Sequence, residues 1–114
     1  ERIKKRAVWS WAGLVHVWQT EGSLHQWIWV FGVTIVLMFV LPLSAIERGF
    51  LLMGGFVVLA MECLNTAIER VVDDISDEWR DKARQAKDAG SAAVALAGVG
   101  VGVAWVCVIV GVIV

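Results

Sequence analysis

FLLMGGFVVLAMECLNTAIERVVDD, residues Phe50 to Asp74, contains the conflict that decides the fold. Phe50 to Ala60 carries no charge and reads as part of a membrane span. Glu62, Asn65, Glu69 and Asp73 then follow at spacings of three and four, which puts them on one stripe of a continuous helix. Glu62 falls about one and a half turns inside the polar end of that span, where a charge costs about 2.5–3.5 kcal/mol on insertion scales. Glu62 and Glu69 on one face also repel each other. A bound cation or a catalytic task would offset both costs. The plainer alternative puts Glu69 and Asp73 in a solvated loop, paired with Arg70. It is weakest for Glu62, which has no Lys or Arg within a turn on its stripe.

The rest of the chain makes the bilayer its natural solvent. Of its 114 residues, 59% are hydrophobic and 18% charged, with a net charge of -1 and a mean hydropathy of +0.73. That composition leaves too little polar surface for a soluble domain. The length fits a single domain, 1–114. A near-zero net charge provides no field for nucleic acid, so no nucleic-acid partner is expected. Cys63 and Cys107 lie in apolar segments without zinc or disulfide spacing and are expected to be small buried residues. ERIKKR leads into a Trp-rich stretch and not a short apolar core, so no signal peptide is expected.

A membrane span needs about 20 mostly apolar residues. Three segments qualify: about 24–41, ended by Pro42, about 46–68, and about 89–114. Each should be helical, because a lone segment in lipid has to satisfy its own backbone hydrogen bonds. Before them, Ala7, Trp11, Leu14 and Trp18 recur at helical spacing behind Arg2, Lys4, Lys5 and Arg6. This predicts a surface helix over about 4–22, lying in the membrane interface. A soluble helix packed on a partner is the alternative. The expected fold is thus an all-α membrane protein with one interfacial amphipathic helix and three transmembrane helices. Ser91, Ala95, Gly98 and Gly102 add a stripe of small residues that would let helices approach closely.

Charge sets the expected orientation. Nine of the ten basic residues precede the first span or lie between the second and third, and only Arg48 lies between the first and second. The positive-inside rule then puts the N-terminus and the Arg70–Lys87 region in the cytoplasm and the C-terminus outside.

AKDAGSAAV, Ala86 to Val94, supplies a second motif at the same depth. It places Lys87 and Asp88 at the start of the third span, where an ammonium and free helix N–H groups could receive phosphate. Carboxylates hold Mg²⁺, Mg²⁺ holds polyphosphate, and lysine neutralises remaining charge. Glu21, at the end of the surface helix, could complete the metal site. Neither GxxxxGK[ST] nor a kinase Gly-rich loop is present.

ECLNTAIERVVD followed by AKDAGSAAV, with RIKK, SWAGL, Glu21 and the IER of 46–48, resembles the bacterial integral-membrane diacylglycerol kinases. The resemblance covers nearly the whole chain. It implies a homotrimer in the bacterial inner membrane, with active sites between neighbouring subunits at the cytoplasmic interface. The implied reaction transfers the γ-phosphate of MgATP to the free hydroxyl of diacylglycerol, giving phosphatidate. Carried over by position, Glu62 is the general base, and Glu21 and Glu69 hold Mg²⁺. Asn65 orients the base or a phosphate. Arg2, Trp9, Glu78, Trp79, Arg80, Lys87 and Asp88 join Glu21 and Glu69 around ATP. Ser10, Trp11, Arg48, Ser91 and Trp105 line the lipid site with Glu62, and Asp73 and Gly90 support. The chain departs from the family at GSLHQW after Glu21, and at Val15 and Trp27, where the family often carries charge. His16 and His25 are expected at the interface without a metal role.

The physical reading agrees with that implication. An acceptor hydroxyl that stays at the membrane surface requires a base sunk to its depth and a metal site nearer the water. Two alternatives remain. Undecaprenol kinases are relatives, but tend to read KDxAAGAV where this chain has KDAGSAAV. The second is a non-enzymatic trimeric membrane protein, a channel or a cation-binding scaffold; a channel would need a polar stripe along the whole span, and this one stops at Glu62.

Overall fold

The computed structural model covers residues 1–114 and contains four helices and no strand: α1 (Arg2–Thr20), α2 (Gly22–Val40), α3 (Ala45–Ile75) and α4 (Asp81–Ile113). The last three are long and apolar enough to cross a membrane. Local signals set their ends. Glu21, extended at φ -118° and ψ 110°, is the only residue between α1 and α2. His25 stacks on Trp18 across that joint, with ring centroids 3.9 Å apart. α2 stops at Leu41, whose extended backbone is the conformation that a following proline imposes. Ser44 and Glu47 form a capping box at the start of α3. The Glu47 N–H donates to Ser44 Oγ at 3.1 Å and the Ser44 N–H donates to Glu47 Oε1 at 2.9 Å, which satisfies two otherwise free donors. At the other end, Arg80 donates to the carbonyls of Val72 (3.1 Å) and Ser76 (3.0 Å) and closes the turn into α4.

α3 has 31 residues and α4 has 33. At 1.5 Å per residue they run roughly 46 and 50 Å, beyond a hydrocarbon core of about 30 Å. The excess carries the charged residues. The spans expected from sequence end near Ile68 and resume near Ala89, but α3 continues to Ile75 and α4 already begins at Asp81. Hydropathy marks where lipid ends, and the helices continue past that point into water.

α3 and α4 form the spine of the chain; α2 packs on it and α1 touches it lightly. Close approach uses glycine. A Cβ on Gly54 would lie 2.7 Å from Val101 Cγ2, and one on Gly98 would lie 3.0 Å from the Trp27 ring. α4 buries Gly90, Val94 and Val108. This buried face is offset from the small-residue stripe: Ser91, Ala95 and Gly102 are exposed, and only Gly98 receives a neighbour. Cys107 is exposed on α4 and Cys63 half-buried, so neither is the fully buried residue expected. Cys107 sits beside buried Val108, on the outward side of the helix.

Met38, Leu43, Leu51 and Val108 make a small core near the α2–α3 turn, with Trp105 against it. Only 11 of 114 residues are buried. Apolar surface left outside on this scale needs lipid or further chains to cover it. α1 buries Val17 alone, leaving Trp9 and Trp11 67% and 70% exposed.

Candidate active site

The polar stripe of α3 is built as its spacing requires, and it begins in the interior. Glu62 is 6% exposed. Ser23, in the first turn of α2, donates its hydroxyl to Glu62 Oε2 at 3.1 Å. Glu62 takes part in no ion pair. Its partner is thus a neutral hydroxyl and not a cation.

One turn toward the polar end, Asn65 Nδ2 donates to Glu69 Oε1 at 3.3 Å. The carboxylate fixes the amide orientation, because turning the amide over would oppose two oxygens. Asn65 Oδ1 is left buried without a partner, a state that costs about 1–3 kcal/mol. It faces α4 at Gly90, where a Cβ would collide with it. Gly90 thus makes room for the side chain that holds Glu69. Gly90→Ala should lower turnover roughly tenfold, since overpacking of about 1–3 kcal/mol falls on Asn65. In an Asn65→Ala background the same substitution should cost almost nothing more, which a double-mutant cycle on turnover would measure.

Above the stripe, a cleft of about 290 Å³ opens where α3 turns into α4. Its lining includes Asp73, Glu78, Trp79, Arg80, Lys87 and Asp88. The structure therefore gathers in one place six residues singled out from sequence. Lys87 Nζ lies 2.5 Å from Asp73 Oδ1, and Arg84 Nη1 lies 3.1 Å from Asp88 Oδ2. Exposed pairs of this type are worth about 1 kcal/mol or less, so phosphate oxygens can replace them. One expectation needs correction. Lys87 does not stand at a helix N-terminus: α4 begins at Asp81, so the N–H groups near Lys87 are engaged within the helix. Lys87 can offer its ammonium, and free backbone donors have no part there.

The remaining predicted residues are dispersed in the single chain. Arg70 pairs with Glu21, Nη2 to Oε1 at 2.8 Å, and not with Glu69 or Asp73 as the loop alternative had it. Arg2 and Trp9 are exposed on α1 and do not line the cleft. Ser10 borders a groove between α1 and α3 with Val17, Thr66 and Arg70, its hydroxyl donating to the Arg6 carbonyl at 2.8 Å. Trp11 lines a groove shared with Leu24 and Ile28 of α2. Ser91 is exposed beside Gly90. Arg48 and Trp105 lie at the far end. Arg48 donates to the carbonyls of Met38 (2.9 Å) and Leu41 (3.4 Å), which caps α2, and Trp105 lines an apolar groove with Trp27 and Phe31. Along α3, Arg48 stands roughly 21 Å from Glu62 at 1.5 Å per residue.

The donor chemistry suits Mg²⁺. Glu21 and Glu69 offer hard carboxylate oxygens, the ligands this ion takes, whereas Asn65 Oδ1 is buried against Gly90. No three His, Cys, Asp or Glu side chains converge within the chain. Mg²⁺ held by one or two carboxylates together with substrate phosphates needs no such cage.

The chain that carries this buried carboxylate, the carboxylate–amide pair and the charged cleft also matches known proteins in sequence. The sequence profile of the family described as Prokaryotic diacylglycerol kinase matches residues 8–109. The chain belongs to this family. It is 39% identical over 108 residues to the diacylglycerol kinase of Escherichia coli K12, covering 91% of this chain and 85% of that protein. It is 32% identical over 111 residues to the diacylglycerol kinase of Pseudomonas aeruginosa, covering 97% and 90%. For the diacylglycerol kinase of Haemophilus influenzae the identity is 34% over 93 residues, covering 82% and 79%. As a member of the prokaryotic diacylglycerol kinase family, the chain is a kinase and a membrane protein. Three side chains at the site were not singled out from sequence: Ser23, Arg84 and, as a partner of Glu21, Arg70. Arg84 could have been found from its spacing of four to Asp88. Ser23 and Arg70 meet their partners only across helices, and local spacing carries no signal for that.

Proposed function

We propose that this chain is an ATP-dependent diacylglycerol kinase, a homotrimer of the bacterial inner membrane. The observation that carries the reading is the depth order along α3: buried Glu62, then the Asn65–Glu69 pair, then the cleft of Lys87 and Asp88. Diacylglycerol keeps its acyl chains in lipid, and its free hydroxyl reaches only the membrane surface. Glu62 accepts the hydroxyl proton while that oxygen attacks the γ-phosphorus. The bond from the γ-phosphorus to the bridging oxygen breaks, ADP leaves, and phosphatidate remains. Ser23 steadies the carboxylate of Glu62. Lys87 takes phosphate oxygens as Asp73 releases it, and Glu78, Trp79 and Arg80 surround the rest of the nucleotide. Glu21 and Glu69 would hold Mg²⁺, which when bound neutralises charge on the phosphate oxygens.

The exposed Trp9, Trp11 and Leu14 support a surface helix in the interface. The outward apolar faces and the unfilled Gly102 support neighbouring subunits. The distribution of basic residues supports a cytoplasmic N-terminus and an external C-terminus.

The test is phosphorylation of diacylglycerol, ceramide and undecaprenol in mixed micelles, repeated in sealed vesicles with ATP added outside. Diacylglycerol should turn over fastest, and in inverted vesicles only. Faster turnover of undecaprenol would reassign the substrate. Turnover in right-side-out vesicles alone would reverse the orientation.

A further inference from the structure

Arg70 ties the α1–α2 joint to α3, close to the Ser23–Glu62 hydrogen bond. It follows Glu69 on α3, and its guanidinium donates to Glu21 Oε1 at 2.8 Å and to Thr20 Oγ1 at 3.1 Å. The Thr20 hydroxyl in turn donates to the His16 carbonyl at 2.8 Å. One side chain thereby fastens the last turn of α1 and the α1–α2 joint to α3. With Val17 the only buried residue of α1, this bridge sets where the joint sits.

The bridge also puts a cation on a carboxylate that the proposed function assigns to Mg²⁺. The guanidinium engages Oε1 and leaves Oε2 open, but a divalent ion on the same carboxylate repels the guanidinium. Resident and incoming cations therefore compete for Glu21. We propose that Arg70 is the resident counter-cation of Glu21, which occupies that carboxylate in the metal-free protein and yields it when the metal arrives. The inference rests on Glu21 being a metal ligand. Arg70 touches neither phosphate nor lipid in this scheme and acts through Glu21 alone.

The size of the competition follows from exposure. The Arg70 and Glu21 side chains are 46% and 22% exposed. Removing such a competitor should tighten divalent binding about two- to five-fold, the range for partly exposed ion pairs.

The experiment titrates the full chain in detergent micelles with Mn²⁺, with a non-hydrolysable ATP analogue and no lipid acceptor, and reads free Mn²⁺ by electron paramagnetic resonance. Arg70→Gln should bind Mn²⁺ more tightly by that factor. Arg70→Lys, which keeps a cation, should stay near wild type. In a Glu21→Gln background Arg70→Gln should change nothing. If Arg70→Gln does not assemble, Arg70→Met keeps the length of the stem and should give the same tightening. Unchanged or weaker binding in the neutral variants overturns the proposal, as does tightening that persists without the Glu21 carboxylate. If Glu21→Gln alone leaves Mn²⁺ binding untouched, the metal role of Glu21 fails first, and that result is distinct from a failure of Arg70.

Discussion

Glu62→Gln should lower turnover about 10²- to 10⁴-fold, the range for loss of a general base, with assembly and nucleotide binding retained. The substitution changes little except basicity. The amide has nearly the shape of the carboxylate, and its oxygen can still accept the Ser23 hydroxyl, which in the wild type lies 3.1 Å from Oε2. No cation loses its partner, because Glu62 forms no ion pair. The Ser23 hydrogen bond therefore stays while the proton acceptor disappears. Steady-state turnover in mixed micelles, read beside binding of a non-hydrolysable ATP analogue, separates chemistry from folding. Wild-type turnover would remove Glu62 from the mechanism.

Glu69→Ala should lower activity on the order of 10²-fold or more, because transition-state charge stabilisation by a metal is worth several kcal/mol. Raised Mg²⁺ should recover part of the loss, since the missing ligand weakens binding without changing the chemistry. The substitution also leaves Asn65 Nδ2 without its 3.3 Å acceptor, so recovery should be incomplete. The proposed homotrimer allows a sharper test. Glu62 and Glu69 are about 10 Å apart along α3 at 1.5 Å per residue, so one chain need not supply both to one site. If sites are shared between subunits, mixed trimers of Glu62→Gln and Glu69→Ala chains will regain activity that neither has alone. Mixed trimers as inactive as their parents would mean that each site draws both residues from one chain.

The all-helical architecture was legible because its cause is local. Apolar length marks a span, and Pro42 marks its end. The stripe from Glu62 to Asp73 was legible for the same reason, since three-and-four spacing is a property of one helix. What could not be read was set by contacts between helices. Nothing near Arg70 in sequence points to Glu21 in preference to Glu69. Ser23 reaches Glu62 only because α2 folds back on α3, and Gly90 matters through Asn65. Lys87 shows how the reading erred: the apolar boundary was taken as the helix boundary, and α4 had begun two turns earlier. Ser10 and Trp11 lie on α1 and Arg48 and Trp105 at the far end of the helices, so one chain does not bring the two pairs into one site.

Glu21 is the only residue between α1 and α2, and this has a mechanical consequence. A helix joined through one extended residue cannot tilt or roll without rotating the peptide planes on either side of that residue. α1 is thus a lever about 28 Å long, 19 residues at 1.5 Å each, with its pivot at a proposed metal ligand. With α1 in the membrane interface, as proposed above, its exposed tryptophans ride on the headgroup layer. Lateral pressure, curvature or a rising fraction of phosphatidate in that layer would turn the lever and, through it, the carboxylate of Glu21. The bilayer would then act on this enzyme as a mechanical input as well as a solvent and a source of substrate.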